Sequence, residues 1–226
     1  MDEALPQKKQ GCSKLSLTVA LIVFSLLFAA AFSTYRLMTY YVQEMHAAAK
    51  ARHVLGLLMV YAAEHNGQYP DHDLTAARPT SNEAFRRLAQ EGLVHEELPF
   101  GTARSPFIPD KNIGRDTEYA QFLEPGENHW MMTAGINAKS PPFFPLVWEN
   151  AADASWPPSW LRDNQGASVR GRVWLGSRII IGFNDASVLI TKLIEKENQL
   201  HLPPSILAPK GKNPLPELKI LDIDVR

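Results

Sequence analysis

Between Leu15 and Phe32 the chain reads LSLTVALIVFSLLFAAAF, apolar at nearly every position and without a charged residue. A bilayer-spanning helix needs about 17–25 such residues, so this stretch is just long enough. The apolar pattern then thins into one face rather than stopping. Leu37, Met38, Tyr40, Tyr41, Val42 and Met45 carry it on. Ala47, Ala51, Val54, Leu58 and Tyr61 follow at spacings of four and three, one stripe of an α-helix. No Gly or Pro interrupts from Leu15 to Gly56. The pattern predicts a helix from Leu15 to His65, roughly 75 Å long at 1.5 Å rise per residue. Asn66-Gly67 supplies the left-handed stop and Pro70 follows it. A break into two helices near Ser33-Thr34 is the alternative. Val54–Ala63 is apolar nearly all round, which predicts burial of this end in a head, with Gly56 permitting close approach of a neighbour.

Beyond Gly67 the pattern shortens. Thr80 and Glu83 form a capping box ahead of Phe85, Leu88 and Ala89, with Gly92 closing a short helix. Pro99–Asn112 has no period and reads as loop. Strand signals come at HWMMTAG (129–135), PLVWE (145–149), GRVWLG (171–176), RIIIGF (178–183) and SVLITKL (187–193). Asn184-Asp185-Ala186 turns the last pair into a hairpin. Val173 and Leu175 are expected to share a face with Ile179 and Ile181, under the long helix. Residues 195–201 read as frayed. LKILDIDV (218–225) reads either as a last strand, on its own or a neighbour's sheet edge, or as a disordered tail.

These elements predict an α+β chain: a long N-terminal membrane-spanning helix packed onto a small antiparallel sheet of three to five strands. The expected segments are residues 1–14 in the cytoplasm, 15–32 in the membrane, 33–66 as the same helix entering the head, 67–202 as the α+β head, and 203–226 as a proline-rich connector with a tail or strand. Lys8, Lys9 and Lys14 precede the apolar run and only Arg36 closely follows it, which by the positive-inside rule leaves the N-terminus in the cytoplasm and the head outside. Ala29-Ala30-Ala31 also offers a signal-peptide cleavage site, so a secreted head is the rival reading.

Composition narrows the chemistry. A net charge of −1 leaves no electrostatic footprint for nucleic acid. The single cysteine, Cys12, lies ahead of the apolar run, so the head has no disulfide and no cysteine-based zinc site. Nucleophile-elbow, phosphate-loop and His-Glu-x-x-His motifs do not occur, and no catalytic residue is nominated. Asp71, His72 and Asp73, near Glu64 and His65, are candidate cation ligands of the oxygen-rich type that suits calcium. Glu127 and His129, with Glu124 and Asn128 beside Trp130, are candidates for an aromatic-edged ligand groove. Of the five tryptophans, Trp156 and Trp160 are expected at the surface.

ARHVLGLLMVYAAEHNGQYPD (51–71), an amphipathic helix ending in a Tyr and an NGxYP turn, resembles type IV pilins and above all the major pseudopilin of type II secretion. SNEAFRRLAQEGLVHEELPF (81–100) and EYAQFLEPGENHWMMTAGINAKSPPFFPL (118–146) are similar to a pilin-like group of envelope proteins. The resemblance implies a structural subunit, not an enzyme, anchored in the inner membrane with its head in the periplasm. Its apolar helix, through Leu15, Leu21, Phe24, Leu27 and Phe28, would pack with copies of itself or with other pilin-like subunits. Val54, Leu58, Tyr61 and Tyr69 would pack helix against head. The family also implies a calcium site in the sheet region and proteolytic processing after a glycine, here Gly11-Cys12. The sequence departs from the family at Ser16, where pilins carry the glutamate used in assembly.

Overall fold

The computed structural model describes residues 14–103, 105–114, 118–162, 169–174 and 176–225. Gly11, Cys12 and Leu175 lie outside the described residues, as do the side chains of Leu15 and Ser16. The chain forms two compact units, Met1–Tyr41 and Val42–Arg226.

Helix α1 runs from Lys14 to Glu64. No break occurs at Ser33-Thr34. The Ser33 and Thr34 hydroxyls donate to the carbonyls of Ala29 and Ala30 at 2.8 and 2.9 Å, which satisfies them inside the helix. In the first unit the side chains of Leu17, Leu21, Phe24, Leu27 and Phe28 are all exposed, and the helix is long and apolar enough to cross a membrane.

In the second unit the same helix buries one face: Ala47, Ala48, Ala51, Val54, Leu55, Leu58, Tyr61 and Ala62. The expected all-round burial near its end is not found. Gly56 is exposed with open space where a Cβ would sit, and Val60 is 47% exposed. The close approach lies on the other partner, at Gly182, where a Cβ would fall 2.6 Å from Leu55 Cδ1. Asn66 and Gly67 both take positive φ, 54° and 86°, and the Gly67 N–H reaches back to Ala62 O at 2.7 Å. This left-handed closure ends α1 as its sequence demands.

Helix α2, Ser81–Gln90, carries the full capping box between Thr80 and Glu83 and lays Ala84, Phe85, Leu88 and Ala89 on the core. A three-residue 3-10 turn, Leu98–Phe100, interrupts the loop that follows. Strands β1 (Trp130–Ala134), β2 (Pro145–Glu149), β4 (Arg178–Phe183), β5 (Val188–Lys192) and β8 (Lys219–Leu221) form one antiparallel sheet in the order β5-β4-β2-β1-β8. Strands β3 (Ser159–Trp160), β6 (Ile194–Lys196) and β7 (Gln199–His201) form a second in the order β3-β7-β6. A four-residue helix, α3 (Pro204–Leu207), lies in the proline-rich connector.

The central strands lack polar alternation because both faces of their sheet are covered. One core joins α1 and α2 to Trp130, Met132, Val147 and Ile180. The other joins Met131, Trp148, Ile179 and Ile181 to Trp160, Leu200, Ile206 and Leu218.

Four expectations are corrected. Val173 does pack with Ile179 and Ile181, but on the face away from α1; Ile180, one residue out of phase, meets the helix. Of the described residues in 171–176 none belongs to a strand: Arg172 and Trp174 make only isolated bridges, the Ser177 N–H bonds to Trp174 O, and Ser177 takes φ 61° just before β4. Residues 195–201 are not frayed but hairpin-paired, with Glu197 and Asn198 at φ 53° and 65° as the turn that a right-twisted pair favours. Trp160 is fully buried, with its indole N–H on Glu149 O, while Trp156 is half-buried against Trp148. The C-terminal segment is a strand on its own sheet edge, next to β1.

Candidate functional site

Antiparallel pairing of β1 with β2 puts Trp130 opposite Glu149, and the Asn150 N–H continues the ladder to His129 O at 3.1 Å. His129, Glu149 and Asn150 are thereby brought together. The loop before β1 adds Ser105, because the His129 N–H bonds to Phe100 O at 2.8 Å. Ser105 Oγ lies 2.8 Å from His129 Nδ1, and Nε2 lies 3.3 Å from Glu149 Oε1. All three residues are at least nine-tenths buried.

A serine, a histidine and a carboxylate in this order have the outline of an activated nucleophile. Asn150 argues otherwise. Its Oδ1 accepts the Gly171 N–H at 2.7 Å, which turns its Nδ2 toward His129 Nδ1 at 2.9 Å. A donor facing Nδ1 requires that nitrogen to be unprotonated, so the ring proton sits on Nε2 and donates to Glu149. Moving the Ser105 proton onto Nδ1 would set two N–H groups against each other. Glu149 Oε2 is also committed, accepting the Ile180 N–H at 3.1 Å, and Ser105 Oγ accepts the Phe107 N–H at 3.0 Å. The cluster is a hydrogen-bonded joint between loop and sheet.

The groove expected at Glu127, His129 and Trp130 is therefore interior. Trp130 is fully buried with its indole N–H on Pro99 O at 3.1 Å. Asn128 bridges Ser81, Asn82 and the Trp130 carbonyl at 2.8–3.1 Å.

The expected cation ligands form no group of three, although His72 Nδ1 comes within 4.0 Å of Asp73 Oδ1. Asp71 Oδ2 accepts the Gly135 N–H at 2.7 Å, with burial raising its carboxyl above the ordinary range. Asp73 reaches Arg87 at 3.8 Å, His72 Nδ1 sits 2.9 Å from Tyr69 O, and His65 stacks on Tyr61 at 3.8 Å. Tyr69 is fully buried and donates to Asn184 Oδ1 at 2.7 Å. Its hydroxyl is pushed up to about 12 by burial and by nearby Asp71.

A different set of acids does converge. One oxygen from each of Glu97, Asp110 and Glu127 lies within 4.8 Å of the others. Backbone amides already bind most of these oxygens. Glu97 accepts from Leu123 and Lys111 at 2.7 and 2.9 Å. Glu127 accepts from Asp110 and Glu124 at 3.1 and 2.7 Å. Burial, reinforced by the Glu127 and Asp110 charges, pushes the Glu97 carboxyl up to about 7 against the opposing pull of its amide donors. These three side chains are the oxygens that could face a divalent cation, although calcium takes about 6–8 ligands. Only Glu127 of the three was visible as a candidate in sequence; Glu97 and Asp110 gave no local signal.

Near its start in the head, α1 carries Glu44, 1% exposed and paired with Arg178 of β4. Burial raises the Glu44 carboxyl, and the Arg178 charge opposes that rise. Two turns on, Lys50 Nζ donates to Gly101 O at 2.7 Å. The helix is thus pinned to β4 and to the loop by charged groups as well as by apolar contact.

Fold and site together define an α+β protein whose N-terminal helix is long and apolar enough to cross a membrane and whose distal half packs on an antiparallel sheet. No family model, curated protein or solved structure matches this chain.

Proposed function

We propose that this is a single-pass envelope protein of pilin-like build, a structural subunit or accessory piece of a secretion- or pilus-like assembly rather than an enzyme. Its N-terminus would lie in the cytoplasm and its head on the outer side of the inner membrane. The carrying observation is the division of labour along α1: exposed apolar side chains at Leu21, Phe24, Leu27 and Phe28, then a buried face from Ala47 to Ala62. The first set has no place in water as a monomer and suits lipid or the helices of other subunits. The second holds the head.

Leu21→Glu tests this in the full chain. A carboxylate at mid-span costs about 2.5–3.5 kcal/mol on insertion scales. We expect loss of membrane retention and of any cross-linked complex, with the head still resistant to limited proteolysis. Unchanged retention and complexes would overturn the reading. The mass of the mature N-terminus then separates its variants: a start at Cys12 supports pilin-like processing, an intact Met1 or Asp2 a plain anchor, and a start at Phe32 a secreted head. The groove-binding alternative loses its motive, since Glu127, His129 and Trp130 are interior.

A further inference from the structure

A small cavity of about 10 Å³ lies beside the Ser105–His129–Glu149 joint, lined also by Thr102, Arg172 and Trp174. Two polar atoms of its lining residues, Thr102 Oγ1 and Trp174 Nε1, are buried without a hydrogen-bond partner among the described residues. Both residues are more than nine-tenths buried, Thr102 at 6% exposure and Trp174 at 4%. The indoles of Trp130, Trp148 and Trp160 show how this head normally treats a buried N–H: they donate to Pro99 O, Thr133 Oγ1 and Glu149 O at 3.1, 2.7 and 3.3 Å. Leaving such a donor unpaired costs about as much as a lost hydrogen bond plus desolvation, so Trp174 and Thr102 require an occupant.

Size and charge narrow the occupant. The volume admits about one water-sized group. The Glu149 carboxylate on the wall disfavours an anion, and the Arg172 guanidinium disfavours a metal cation. A neutral group that both accepts and donates fits all of them. We infer that the cavity is a binding site for one internal water, which accepts from the Trp174 indole and shares a hydrogen bond with the Thr102 hydroxyl.

The position gives this water a job. Thr102 follows Gly101, whose carbonyl holds Lys50 of α1. Trp174 exchanges backbone bonds with Arg178, whose side chain holds Glu44 of α1. The water closes the gap between the two segments that grip the helix. It belongs to the fold of the head and stands whether or not the assembly reading does.

The test uses the full chain in detergent micelles with 15N-labelled tryptophan. Trp174→Phe identifies the Trp174 indole signal by its loss. In the unsubstituted protein that indole should show a cross-peak to a long-lived water, while those of Trp130, Trp148 and Trp160 show none. Thr102→Val should weaken the cross-peak and lower the melting temperature, and Thr102→Ser should restore both. A Trp174 indole with no water cross-peak would overturn the site without any variant having to fold. A cross-peak unchanged by Thr102→Val would overturn the assignment of Thr102 as its partner, and with it the bridge.

Discussion

At the scale of single residues, the two glycines that meet or avoid α1 make opposite predictions. Gly56 is exposed mid-helix with nothing near its missing Cβ. Gly56→Ala should raise stability by up to about 1 kcal/mol in chemical denaturation. Gly182→Ala should lower it, because Leu55 occupies the space. Leu58→Ala, from a fully buried site, should cost about 2–5 kcal/mol. Glu97 makes the head sensitive to pH. With its carboxyl at about 7 in the fold and 4.5 as an ordinary value, the folded state holds this proton more tightly than the unfolded chain. The stabilisation is complete below about pH 4.5 and is lost as pH rises through about 7. Glu44, Asp71 and Glu127 are raised by burial too and share the sign. Melting temperatures should fall between pH 5 and 8, and Glu97→Gln should flatten that fall.

Among the elements, α1 was the most legible because its signals are local: a 3.6-residue stripe, no breaker before Gly56, and an Asn-Gly end. The capping box of α2 was equally plain. The β6–β7 hairpin was missed because its strands are short and largely exposed, and Glu197-Asn198 is a less familiar left-handed pair than Asn-Gly. Segment 171–176 misled in the other direction: an apolar run bounded by glycines reads as a strand, yet only its tertiary partners decide whether it joins a ladder. The Glu44–Arg178 pair is a test of how α1 is held on β4. Arg178→Met leaves a carboxylate that is 1% exposed without its counter-charge. The expected loss is about 3 kcal/mol or more, read by denaturation, and Glu44→Gln in the same chain should recover part of it.

For the whole molecule, the sequence by itself determined the class: an apolar N-terminal helix that keeps its period into a cysteine-free α+β head. Hydrophobic periodicity and turn chemistry act over a few residues, and they survive without knowledge of what lies across the core. Tertiary structure decided what depends on parity and on long-range pairing. It chose Ile180 rather than Ile179 and Ile181 to face α1, because neighbouring strand residues point to opposite faces. It made Glu97, Asp110 and Glu127 neighbours by folding one loop onto another. It joined His129 to Glu149, Asn150 and Ser105 through a β1–β2 register and a loop contact that no short stretch of sequence encodes, and so turned an expected ligand groove into an interior joint.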